Sequence, residues 1–274
     1  MSRSNYQYDD YDLDHLHILH TRDHGFSMPL RHLHSQYEFL FVLDGDVCIE
    51  SNASSFSVNT PTLVVHKPFS LHRANTNTDE LYDRFVINIT EELLSQIKGL
   101  IPNFGILSPA GCTVLPLEPE RVSEIVKELA EIHADYDANK RERLLLRFAL
   151  LLLNITDDAV EKVPYVPDTA GYISDVIKYI NAHYADDIKI DELADYFFVS
   201  RSKLISDFKR SMGVPIKKYT MFVRISNAQG FLNEGKSITE TASLCGFYDN
   251  SHFISSFRQL TGSTPKEYKR KTNT

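Results

Sequence analysis

The stretch Gly246-Phe247-Tyr248-Asp249-Asn250-Ser251-His252-Phe253-Ile254-Ser255-Ser256-Phe257-Arg258, closed by Gly262-Ser263-Thr264-Pro265-Lys266-Glu267-Tyr268, decides the reading of the C-terminal part. Phe253 and Phe257 lie four residues apart and so share one face of a helix. Asn250 or Ser251 is placed to cap its start. Gly262 stands where a helix C-cap needs positive φ, and Pro265 prevents continuation.

The same layout occurs once more, 48–50 residues upstream, as Ile190, Leu193-Ala194, Val199-Ser200, Leu204, Phe208-Lys209, Gly213, Pro215 and Tyr219. Its partner reads Ile238, Thr241-Ala242, Gly246-Phe247, Phe253, Phe257-Arg258, Gly262, Pro265 and Tyr268. Each copy predicts a short helix with a small residue, Ala194 or Ala242, where a second helix crosses closely. A brief turn and a second helix with a basic end follow. This is the helix-turn-helix layout, and two copies can enter successive major grooves about 34 Å apart.

The net charge of −8 conceals an asymmetry. Residues 1–165 carry 14 basic and 25 acidic side chains, whereas residues 189–274 carry 14 basic and 8 acidic. An acidic half joined to a basic one suits a protein whose C-terminal part meets phosphates. No opening stretch pairs basic residues with an apolar run, and the most apolar segment, 144–155, contains Arg147. The expectation is a cytoplasmic protein without a membrane span. Cys48, Cys112 and Cys245 are scattered and form no CxxC pair, so buried reduced thiols are expected rather than a disulfide framework or zinc cluster.

Taken together, the quoted motifs resemble the DNA-binding domain of the AraC/XylS family of transcription regulators over residues 172–270. Gly-Phe, Ser-x-Phe, Phe-Arg, Gly-x-Thr-Pro and Tyr appear in the family order. The resemblance implies seven helices, with a long linker helix over 216–232 that includes Arg224 and Ala228. It implies base-facing positions at Arg201, Ser202, Ile205 and Ser206 in the first unit and Asn250, Ser251, Ile254 and Ser255 in the second. Ile205 offers apolar contact alone, for instance to a thymine methyl. Phosphate contacts fall to Lys203, Lys209, Arg210, Lys218, Arg258 and Lys266.

Upstream, the chain is strand-like. Tyr37–Leu43 ends in the turn signal Asp44-Gly45-Asp46, and Val47–Ser51, Ser55–Val58, Thr62–His66 and Arg84–Ile89 continue the series. Residues 1–24 read as a polar arm with one short strand. Apolar spacing predicts helices over 119–133 and 141–155, the second apolar on nearly every side. Pro164, Pro167 and Gly171 mark a linker over 157–171. The fold class is multidomain α+β: a β-barrel with two helices, then an all-α double helix-turn-helix domain. The domains are a sensor barrel over 1–115, a dimerisation segment over 116–156, the linker, and a DNA-binding domain over 172–274.

His32-x-His34, Glu38 and Gly45, with His72 between Pro68 and Asn75, resemble the two motifs of cupin barrels. Ser70 departs from the second motif, where glycine is usual. On an extended strand, His32, His34 and Glu38 share a parity and face the barrel interior. Two readings follow. In the first, His32, His34, Glu38 and His72 line an effector pocket that takes a small molecule, by family analogy a carbohydrate, with no metal, cofactor or enzymatic activity. In the second, the same four residues hold Fe, Mn or Zn in a metal-dependent enzyme fused to a DNA reader. The first is preferred because AraC-like sensor domains generally work without metal chemistry. The regulator is then an effector-controlled activator that binds double-stranded DNA, contacts RNA polymerase, and forms a homodimer through 119–133 and 141–155. Leu145 and Leu152 are taken as interface residues.

Overall fold

Alternation along Tyr37–Asp44 (β2) decides how the N-terminal half is layered. Phe39 and Phe41 point to one side of the sheet and Leu40 and Val42 to the other, and all four are buried. A strand apolar on both faces needs cover on both. The computed structural model, which describes residues 16–28, 30–77, 79, 81–107, 112–159 and 171–272, supplies both covers.

β2 lies at the centre of a five-stranded antiparallel sheet. Its neighbours are Leu81–Ile89 (β7), then Leu16–His24 (β1), on one side, and Thr62–His66 (β5), then Cys112–Pro116 (β8), on the other. The Leu40/Val42 face packs on a second sheet of Val47–Ser51 (β3), Ser54–Val58 (β4) and His72–Thr76 (β6), through Val47, Ile49, Val58 and Ala74. The Phe39/Phe41 face packs on Glu91–Lys98 (α1), Val122–Asp137 (α2) and Arg141–Ala159 (α3), through Leu93, Ile125, Leu129, Leu144 and Phe148.

The expected β-rich domain with appended helices is therefore present, its barrel built as two facing sheets. Residues 16–24 are a nine-residue strand paired with β7 along its whole length, longer than the short strand expected. Residues 1–15 of the predicted arm lie outside the described residues. The second predicted helix extends to Ala159, so the linker's first residues are helical, and 160–170 lie outside the described residues. No helix among the described residues is long and apolar enough to cross a membrane.

The C-terminal part contains seven helices among the described residues: Tyr172–Ala182 (α4), Ile190–Tyr196 (α5), Arg201–Met212 (α6), Ile216–Asn233 (α7), Ile238–Leu244 (α8), Asn250–Thr261 (α9) and Pro265–Thr272 (α10). Two cores divide them. Val176, Leu204, Phe208 and Val223 close the first around α4 to α7. Ala228, Ala242, Phe253, Phe257 and Tyr268 close the second around α7 to α10. α7 contributes to both and rises about 27 Å, so it acts as the rod that spaces the two units.

Candidate functional site

The two helix pairs are built alike. Ala194 and Ala242 are buried where α5 crosses α6 and α8 crosses α9, and a larger side chain there would force the helices apart. Ser200 caps α6 by accepting from the Lys203 amide. The cap of α9 is Asp249, which accepts from the amides of Ser251 (3.2 Å) and His252 (2.9 Å). This corrects the expectation of Asn250 or Ser251, because the helix begins one residue earlier than a cap at Asn250 implies and two earlier than a cap at Ser251. Both helices end on a left-handed glycine, Gly213 or Gly262. In the second turn Gly246 has φ +73°, and a Cβ there would lie 2.1 Å from the Ala185 carbonyl oxygen. Arg224 on α7 holds this turn, donating to the carbonyls of Tyr184, Asp186 and Gly246.

The positions expected to face bases are all exposed. On α6, Arg201, Ser202, Ile205 and Ser206 are exposed, while Leu204, Phe208 and Met212 are buried. On α9, Asn250, Ser251, Ile254 and Ser255 are exposed, while Phe253 and Phe257 are buried. Ile205 and Ile254 are each 37 % exposed, equivalent places in the repeat. The basic residues divide into two groups. Lys203 donates to Asp207 at 2.7 Å, Arg210 also pairs with Asp207, and Arg201 pairs with Asp191 at 3.0 Å. Lys209, Lys218, Arg258 and Lys266 are exposed, with no such ion pair among the described residues.

A separate constellation lies inside the sandwich. His32, His34, Glu38 and His72 are all buried, and one ligand atom from each lies within 4.8 Å of the others. Glu38 projects inward from β2. Its Oε2 lies 3.3 Å from His34 Nε2, and its Oε1 lies 3.5 Å from His72 Nε2. His66, on β5 directly opposite Glu38, stacks on His72 at 4.1 Å. Burial holds His32 and His66 well below the usual imidazole range, and the neighbouring His72 adds to the effect. Burial pushes Glu38 up, but His72 and His34 outweigh it and keep the carboxyl well below its ordinary value. A cleft of about 140 Å³ lies beside this cluster, lined by His32, His34 and Gln36 on the sandwich and by Asn227, Gln229 and Glu234 around α7.

Residues 193–271 match the family model described as a helix-turn-helix domain. The chain is similar to the HTH-type transcriptional regulator YbfI of Bacillus subtilis, 24% identical over 87% of this chain and 86% of that one. It is also similar to the melibiose operon regulatory protein of Escherichia coli, 23% identical over 89% and 84% of the two chains. Among solved structures, it shares the fold of unsaturated-fatty-acid-bound ToxT from Vibrio cholerae, with a TM-score of 0.60 at 15% identity over 95% and 96% of the two chains. The chain carries a helix-turn-helix domain and is similar along most of its length to transcription regulators. It is a DNA-binding regulator whose helix-turn-helix units are the pairs α5–α6 and α8–α9.

Sequence reasoning missed some of the residues at these sites. Gln259 and Thr264 share a surface hollow with Ser251, Ile254, Ser255 and Arg258. Spacing could have found Gln259, since it is eight residues beyond Ser251 on the same helical face. His66 was missed because its role depends on strand pairing with Glu38. Leu145 and Leu152 are buried inside the subunit, which corrects their assignment to an interface. Leu146 and Leu150, 62% and 57% exposed, form the outward stripe of α3 instead. Of the three free thiols, Cys245 is buried, and burial pushes it up to about 12. Cys48 and Cys112 are half-buried, where burial was expected.

Proposed function

We propose that this regulator reads bases through Arg201, Ser202, Ile205 and Ser206 of α6 and through Asn250, Ser251, Ile254 and Ser255 of α9. Lys209, Lys218, Arg258 and Lys266 hold the phosphates, and Lys203 and Arg210 join them once released from Asp207. The observation that carries this reading is the equal exposure of the same four positions in both copies of the repeat. Residues at the start of a recognition helix reach base edges, and cations toward its end reach the backbone.

The domain plan is a sensor over 1–115, a dimerisation segment over 116–156, a linker over 157–171 and the DNA reader over 172–274. The sensor takes a small effector at the cleft floored by His32 and His34, with Glu38 and His72 behind them. The amides and hydroxyls around that cleft suit a hydroxyl-rich molecule such as a carbohydrate. Leu146 and Leu150 support a homodimer, since adjacent exposed leucines on one helix favour a covered face. Effector binding changes how the dimer presents its DNA heads and how it meets RNA polymerase, and the protein acts in the cytoplasm as an activator and not as an enzyme.

Replacing Asn250 and Ser251 together with Ala tests the base-reading assignment. Affinity for a selected site falls by about 1–3 kcal/mol per lost base contact, while affinity for unrelated DNA is kept. Equal loss on both DNAs, measured by fluorescence anisotropy, removes these positions from base reading.

A further inference from the structure

The two copies of the repeat differ in charge along one face of their second helices. Lys203, Asp207 and Arg210 are four and three residues apart, so they form one stripe on α6, beside Ser206. The corresponding places on α9, 49 residues downstream, carry His252, Ser256 and Gln259. The first unit therefore holds a carboxylate and two cations where the second has no carboxylate, lysine or arginine.

Asp207 is buried, and a buried carboxylate needs partners. Lys203 Nζ donates to its Oδ2 at 2.7 Å, Arg210 donates to its Oδ1, and the Tyr172 hydroxyl donates to its Oδ2 at 2.8 Å. The hydrogen bonds from Lys203 and Tyr172 outweigh burial and hold the carboxyl below its ordinary value, so it is charged at neutral pH. The side chains of Lys203 and Arg210 are themselves 56% and 60% exposed, so the carboxylate rather than packing decides where they point. Tyr172 is the first residue of α4, and it fixes the carboxylate from outside α6. Its ring also lies 5.8 Å from the Lys203 ammonium.

With these contacts made, and Arg201 paired with Asp191, α6 presents Lys209 much as α9 presents Arg258. Phosphate contacts by lysine and arginine supply affinity for any sequence, and each one steepens the salt dependence. An α6 that offered Lys203, Lys209 and Arg210 together would hold unrelated DNA more strongly.

We propose that Asp207, oriented by Tyr172, is a positioning residue that withholds Lys203 and Arg210 from the backbone of unrelated DNA and so sets the specificity of the first helix-turn-helix unit. This rests on reading α6 as a base-contacting helix, and it adds two residues outside the set assigned to bases and phosphates. At a matching site, base contacts hold α6 close enough for phosphates to compete for the two cations. Elsewhere the carboxylate keeps them.

The test uses the full chain and two duplexes of equal length, one selected from a random pool and one unrelated to it. Asp207→Asn keeps the shape of the side chain and removes its charge. Affinity for the unrelated duplex rises by at least about fivefold at about 0.1 M salt, and the slope of log affinity against log salt steepens by about one to two. Affinity for the selected duplex rises less, so the ratio of the two affinities falls. Asp207→Ser, which copies the second unit, acts in the same direction. Tyr172→Phe steepens the slope by less than Asp207→Asn does and adds nothing when combined with it. A slope unchanged or shallower in both Asp207 variants, or a fall in affinity for both duplexes, overturns the proposal and leaves Asp207 as a structural clamp of α6. Equal effects of Tyr172→Phe with and without Asp207→Asn remove Tyr172 from it. Lys209→Ala, measured alongside, lowers the slope by about one whether or not Asp207 matters, so failure of this inference is distinguishable from failure of the DNA-reading assignment.

Discussion

At the scale of single residues, the basic side chains differ in what binding requires of them. Lys203 and Arg210 already share Asp207, whereas Lys209 and Arg258 stand exposed on the outward faces of α6 and α9. Replacing Lys209 or Arg258 with Ala should weaken binding to all DNA sequences alike and lower the slope of log affinity against log salt by about one per residue. A titration of affinity between low and high salt checks this, and an unaltered slope takes the residue off the phosphate list. These positions were legible in the sequence because a helix repeats its faces every 3.6 residues and the two copies agree. The pairing with Asp207 was not legible as competition, since side-chain choice among several acidic neighbours depends on the packed helix. The Asp249 cap was missed for a related reason: three adjacent residues, Asp249, Asn250 and Ser251, all have capping side chains, and only the backbone path selects one.

Among the elements, α3 is the one whose sequence pattern had two solutions. It is apolar nearly all round, and the structure buries Leu145, Phe148 and Leu152 against the five-stranded sheet and α2 while leaving Leu146 and Leu150 outside. Replacing Leu146 and Leu150 with Glu should turn a dimer into a monomer while Tm falls little, because the inner face is untouched. Sedimentation of both proteins decides it, and a wild-type chain that is monomeric at micromolar concentration removes α3 as an interface. α3 is tied to α2 through the buried Asp135, which pairs with Arg143 and Arg147. The hydrogen bond from Arg143, then the charges of Arg143 and Arg147, hold the Asp135 carboxyl below its ordinary value. A carboxylate lowered on folding stabilises the fold above its unfolded pKa, and that contribution is lost as pH falls through the folded value. Asp135→Asn should therefore lower Tm at pH 7, and the gap to wild type should shrink between about pH 5 and pH 3. A gap independent of pH would show that the charge is not what holds the hairpin. Strand β8 and helix α1 were not apparent in the sequence, and β1 was apparent only as one short strand. In β1 the buried Leu16 and Ile18 are followed at the same parity by His20, Arg22 and His24, so its alternation reads as polar until β7 supplies the partner.

For the whole molecule, the division into a β-rich half and a helical half was readable, because the repeat, the charge asymmetry and the change of hydrophobic period coincide. What joins the halves was not readable. Leu33 and Leu71 sit in short segments with no periodicity of their own, and their burial depends on α4, α6 and α7 arriving from more than 100 residues away. The histidine cluster was half legible: His32, His34, Glu38 and His72 stand out by motif, although a bend at 35–36 separates His34 from β2 where one extended strand was expected, while His66 follows from register. α7 joins the two similar reading heads, and the account depends on their lying one turn of DNA apart. The most direct measurement is a chemical footprint of the full chain on DNA sites selected from a random pool, compared with Asn250→Ala/Ser251→Ala and Ser202→Ala/Ser206→Ala proteins. The account predicts two protected major-groove segments per chain, about 10 base pairs apart, each losing its sequence preference with only one of the two double substitutions. A single protected segment, or the same base pairs relaxed by both proteins, would contradict it.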